Sequence, residues 1–139
     1  MSKINYFEFS DAWVFMALFQ YASEWKKIEL SNIIAQGDML NHAIFTLEEL
    51  NNGFRKLQIK GLIKIKGDQI ILSDEGLKIK KSVMDSGVGF FSMVDNALKK
   101  INTKKLRLEN VDPNLISSCE FLSDKTLSRA YHQYTNKST

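Results

Sequence analysis

The stretch from Thr46 to Gly76 leaves fewer folding options than any other part of the chain. Thr46-Leu47-Glu48-Glu49 has the Thr-x-x-Glu spacing of a capping box, in which a hydroxyl and a carboxylate each accept from a backbone N–H left over by the first helical turn. Leu47, Leu50, Phe54 and Leu57 then recur as one buried stripe, and Gly61 follows as a natural stop. Beyond it, Leu62 to Lys66 and Gln69 to Leu72 flank Gly67-Asp68, a two-residue turn whose glycine can take positive φ. Such a turn pairs Lys66 with Gln69, Ile65 with Ile70, Lys64 with Ile71 and Ile63 with Leu72. Ile63, Ile65, Ile70 and Leu72 therefore face inward, and Lys64 and Lys66 face outward together.

Helices surround this unit. Ser10 can cap a first helix running to about Trp25, apolar on almost every side and so expected in the middle of the core. Lys27 to Leu30 reads as a short extended piece, and Ser31 can cap a second helix in which Leu30, Ile33, Ile34, Gly37 and Leu40 share a face. Asn41 to Phe45 is the connector. Ser73 or Asp74 caps a fourth helix through Met84, and Asp85 to Gly89 interrupts it as a kink or a loop. Periodicity resumes over Phe90, Phe91, Val94, Ala97, Leu98 and Ile101, and Lys99 to Arg107 is basic. Asp112-Pro113 places a cap and a first-turn proline before Leu115, Ile116 and Cys119, and Ser123 opens a last helix striped by Leu127, Ala130, Tyr131 and Tyr134. The expected class is mainly α with a small β-hairpin (α+β). Residues 1–85 form the principal domain, and 86–139 form a helical C-terminal extension that packs on it or makes a dimer contact within a single compact unit.

Composition narrows the chemistry. A chain of 139 residues with 44% hydrophobic and 25% charged side chains suits one core, and its net charge of +3 permits nucleic acid without demanding it. The single cysteine, Cys119, excludes an internal disulfide and a thiolate-rich metal site, and it fits a reducing cytoplasm. Ala12 to Phe19 is too short to span a bilayer, and Glu8 and Asp11 ahead of it speak against a signal peptide. Gly-rich phosphate loops, His-x-x-x-His pairs, Cys-x-x-Cys pairs and nucleophile elbows do not occur, so no enzyme, cofactor or metal is expected. His42 reads as a connector histidine satisfying backbone groups, and His132 as helix surface.

The order helix, short strand, helix, helix, hairpin, helix resembles the winged-helix superfamily. In its PadR-like and MarR-like regulators a helix ending in Leu and Gly-Leu-Ile leads into a hairpin closed by Leu-Thr-x-x-Gly. Leu57-Gln58-Ile59-Lys60-Gly61-Leu62-Ile63 and Leu72-Ser73-Asp74-Glu75-Gly76 are similar to these, and the resemblance covers roughly residues 10–85. It implies a winged helix-turn-helix, with the helix from Thr46 as recognition helix and the loop around Gly67 as wing, laid against double-stranded DNA. The face opposite the buried stripe carries Glu48, Glu49, Asn52, Arg55, Lys56 and Ile59. Asn52 and Arg55 are then the candidate base readers, and Lys56, Lys60, Lys64 and Lys66 the candidate phosphate contacts. For Arg55 and these four lysines an ordinary solvated surface is at least an equal reading. Three features pull against DNA: the acidic tip at Glu48 and Glu49, the long connector and the short wing.

Three functions stay open at this point. The first is a DNA-binding transcriptional regulator, homodimeric through the C-terminal helices because many operators are two-fold. The second is a winged-helix interaction module that presents an acidic or apolar surface to a protein. In the third, Phe90, Phe91, Met93, Tyr131 and Tyr134 line a small-ligand pocket in a sensor.

Overall fold

Thr46 caps its helix as the spacing requires: its hydroxyl accepts from the Glu49 N–H at 3.1 Å, and the Glu49 carboxylate accepts from the Thr46 N–H at 2.8 Å. Helix α3 (Leu47–Ile59) starts there in the computed structural model, which describes residues 7–18, 24–87, 89–102 and 122–137. It ends in a Schellman motif, the Leu62 N–H donating to the Leu57 carbonyl at 2.9 Å and the Gly61 N–H to that of Gln58 at 3.0 Å. Gly61 sits at φ 68°, the left-handed conformation that this motif needs at its second-last position.

Strands β2 (Ile63–Lys66) and β3 (Gln69–Leu72) pair in the expected register, from Ile63 opposite Leu72 to Lys66 opposite Gln69. A third strand, β1 (Lys26–Lys27), runs antiparallel to β3, so the sheet has the order β1-β3-β2. The chain just past β1 is held to the hairpin turn by the Ile28 N–H, which donates to the Asp68 carbonyl at 2.7 Å. Helix α4 (Asp74–Asp85) is capped by Ser73 rather than Asp74, its hydroxyl accepting from the Gly76 N–H at 3.1 Å.

Two helices begin and end elsewhere than the sequence pattern implies. Helix α1 (Phe9–Ala17) has Glu8, not Ser10, as N-cap residue, because the Asp11 carboxylate reaches back to the Glu8 N–H at 2.7 Å. It stops at Ala17, the Leu18 N–H turning to the Phe15 carbonyl, and Trp25 lies outside it and is exposed. Helix α2 (Leu30–Asn41) starts at Glu29 instead of Ser31, with the Glu29 carbonyl accepting from both Asn32 and Ile33. Its C-cap, His42, is left-handed at φ 52° and donates its N–H to the Asp38 carbonyl at 2.7 Å.

Every residue of α1 from Asp11 to Ala17 is buried, which makes it the central helix, packed against α2 and α3. Helix α5 (Phe90–Ile101) adds Met93, Val94, Ala97 and Ile101 to that same core. Its end is clasped to the start of α1 by a reciprocal amide pair, the Phe7 N–H to Asn102 Oδ1 at 3.0 Å and Asn102 Nδ2 to the Phe7 carbonyl at 2.8 Å. Ser123 precedes helix α6 (Asp124–Lys137), which rests on α2 through buried Ala130 and a hydrogen bond from the Tyr134 hydroxyl to Asp38 Oδ2 at 2.5 Å. Among the described residues the architecture is six helices with one small three-stranded antiparallel sheet. The Asp112-Pro113 cap, Cys119 and most of the basic run ending at Arg107 lie outside the described residues.

Two lysines are buried in this core. Lys56 on α3 meets Asp11 of α1, whereas Lys80 on α4 brings its ammonium to 5.4 Å from the centroid of the Phe15 ring. Burial holds the Lys80 pKa well below the ordinary lysine value. A depressed lysine pKa contributes stability that is present above the unfolded value and lost as pH falls through the folded one. Lys80→Met is therefore expected to leave stability little changed near pH 10.5 and to raise it at neutral pH by about 1 kcal/mol or more. Urea unfolding at both pH values checks this, and a variant less stable than the parent at neutral pH refutes it.

Candidate nucleic-acid interface

Directly paired residues of an antiparallel ladder share a face of the sheet. Lys27 pairs with Gln69, Gln69 with Lys66, and Ile71 with Lys64, which sets Lys27, Lys64 and Lys66 on one outer face with Gln69 between two of them. All three lysines are exposed. On the inner face Ile63, Ile70 and Leu72 are buried and Ile65 packs against the core. Lys26, opposite Ile70, emerges on the inner side at the sheet edge, 3.6 Å from Glu24.

Of the residues singled out on α3, Glu48, Asn52 and Arg55 form one outward ridge at helical spacing, Glu48 exposed and the other two half-buried. Glu49 is engaged at its own helix start, which leaves Glu48 as the outward carboxylate of the tip. Lys60, half-buried, is the C-cap residue between this ridge and β2.

Lys56 does not join them. It lies on the flank of α3 where Gly53 meets Val14 of α1, and its ammonium turns inward to Asp11 Oδ2 at 2.8 Å, with Lys56 7% exposed and Asp11 fully buried. An opposite charge within hydrogen-bond reach outweighs hydration for a side chain that α1 already screens from water. Asp11 is held above the usual carboxylate range by burial, opposed by the Glu8 N–H and by Lys56. Ile59 also departs from the outward face and packs against the core.

Of the set expected to line a ligand pocket, three residues can be placed. Met93 is in the core, Tyr131 is exposed on α6 and Tyr134 bonds to Asp38, while the side chains of Phe90 and Phe91 lie outside the described set. His42 and His132 are both exposed, the latter with its ring centroid 6.3 Å from that of Tyr131. Among the described residues no group of three or more His, Cys, Asp or Glu side chains is placed to hold a metal ion, and no helix is long and apolar enough to cross a membrane.

Lys27 is the site residue that sequence reasoning missed. A two-residue strand has no periodicity of its own, and only its pairing with β3 reveals which face it occupies. The one available signal was Lys27 standing next to Ile28 in a segment read as extended.

No family model, curated protein or solved structure matches this chain, so the reading of its surface rests on the residues themselves.

Proposed function

We propose that this chain is a winged-helix protein that binds double-stranded DNA as a regulator, with the sheet lysines on phosphates and the α3 ridge toward the base edges. The observation that carries the reading is the set of three exposed lysines, Lys27, Lys64 and Lys66, on one face of the sheet. The element order α1-β1-α2-α3-β2-β3-α4 and the strand order β1-β3-β2 support the winged-helix part of it. Glu48 opposes deep entry of the α3 tip into a groove, because a carboxylate there faces phosphate. Phosphate contacts then dominate the affinity, and Asn52 and Arg55 add base discrimination.

Fluorescence polarisation with a random-sequence duplex over a salt series tests this. Each lysine that neutralises a phosphate contributes about 0.9 to the slope of log affinity against log salt. Lys27→Ala, Lys64→Ala and Lys66→Ala together should therefore flatten the slope by about 2 to 3 and weaken binding to all sequences alike. Asn52→Ala should leave the slope unchanged. Absence of salt-dependent binding by the parent protein at low salt would overturn the DNA reading.

A further inference from the structure

Where β1 leads into α2, the chain and helix α6 enclose an open groove of about 900 Å³ that shares Lys27, and no other residue, with the proposed DNA face. That is within the size range of small-ligand sites. Its apolar floor comes from Ile28 and Ala130, both buried. Around the floor stand charges of both signs on three separate elements: Lys27 on β1, Asp68 on the hairpin turn and Arg129 on α6, with Glu29 at the start of α2. Glu29 accepts from the Asn32 amide. Lys27, Asp68 and Arg129 are exposed, and among the described residues no ion pair engages them.

The charge pattern selects the occupant. A polyanion would meet Asp68 and Glu29, and a polycation would meet Lys27 and Arg129. A neutral apolar molecule would strip water from these charges and give nothing in return. A single amino acid carries its two charges on one carbon, whereas the groove spreads its charges over β1, the turn and α6. We infer that this groove is a binding site for a short zwitterionic peptide with aliphatic side chains. Arg129 takes the terminal carboxylate, Asp68 the terminal ammonium, and Ile28 with Ala130 the aliphatic middle. The site spans α6 and the sheet, so an occupant bridges two elements that are otherwise joined through α2.

Trileucine titrated into the full-length protein, followed by amide chemical shifts, is the test. Saturable shifts are expected at residues 27–31, 68 and 126–133. Arg129→Ala in the protein should weaken binding about tenfold, the loss of one charge-assisted hydrogen bond, and acetylation of the amino end with amidation of the carboxyl end, which removes two, about a hundredfold. Asp68→Asn should weaken trileucine and leave the doubly capped peptide unaffected. The inference fails if trileucine produces no saturable shift at millimolar concentration, if the shifts map elsewhere, or if the capped peptide binds equally well. None of these outcomes bears on DNA binding, which is read separately by polarisation.

Discussion

Lys56→Met is expected to cost about 3–5 kcal/mol of folding stability, a large effect for one surface-to-core lysine. The side chain bridges α3 to α1 through Asp11 Oδ2, and both partners are buried. Removing the ammonium leaves a buried carboxylate that keeps its bond to the Glu8 N–H but loses its counter-charge. The same loss predicts a pH signature. Burial already raises the Asp11 pKa, and Lys56 is one of the groups that hold it down, so the variant raises it further. A raised carboxylate pKa contributes stability present below the unfolded value and lost as pH rises through the folded one. The penalty of Lys56→Met should therefore shrink from pH 7 toward pH 4. Adding Asp11→Asn should cost less than the sum of the two single changes by about 1–3 kcal/mol, as coupled partners require. Equilibrium unfolding in urea supplies all three comparisons, and additive single changes would mean that the pair is not a unit.

Gly76→Ala should be comparably damaging, about 3 kcal/mol or more, for a reason unrelated to backbone freedom. A Cβ at this position would stand 2.2 Å from the Leu62 carbonyl oxygen, which is backbone and cannot swing aside. That carbonyl is already engaged, accepting from the Ser73 N–H at 3.1 Å as β3 gives way to α4. Room for a methyl group can come only from moving α4 off the end of α3, which disturbs Ile79 and Val83 in the core and the Ser73 cap. Lys78→Ala, on the exposed side of the same helix, should stay within about 0.5 kcal/mol of the parent. Thermal unfolding of the pair separates them, and similar midpoints would show that the close approach at Gly76 is tolerated.

These two positions also mark where sequence reasoning succeeds and where it stops. The Thr46 capping box, the Gly61 stop and the hairpin register were readable because each is decided by residues within a few positions of one another. The Leu-Ser-Asp-Glu-Gly run likewise announced a helix start, although not that its glycine is required by the Leu62 carbonyl. Lys56 was misread because a helical wheel places it opposite the apolar stripe, whereas α1 covers that flank and its partner lies 45 residues earlier. The starts of α1 and α2 were misplaced because both use a glutamate at the N-cap, outside the usual Ser, Thr, Asp and Asn set. The face occupied by Lys27 and the groove beneath α6 depend on pairing and packing between distant segments, which local pattern does not encode.

The clasp between Phe7 and Asn102 bears on how this molecule comes apart. Helix α1 is enclosed by parts drawn from both halves of the chain, so no contiguous piece ending before α5 can keep it dry. Residues 7–102 should therefore melt as one cooperative block, with α1 the last helix to see water. Helix α6, held on α2 by buried Ala130, flanking leucines and the Tyr134 bond, is the element among the described residues best able to lift away while the block stays folded.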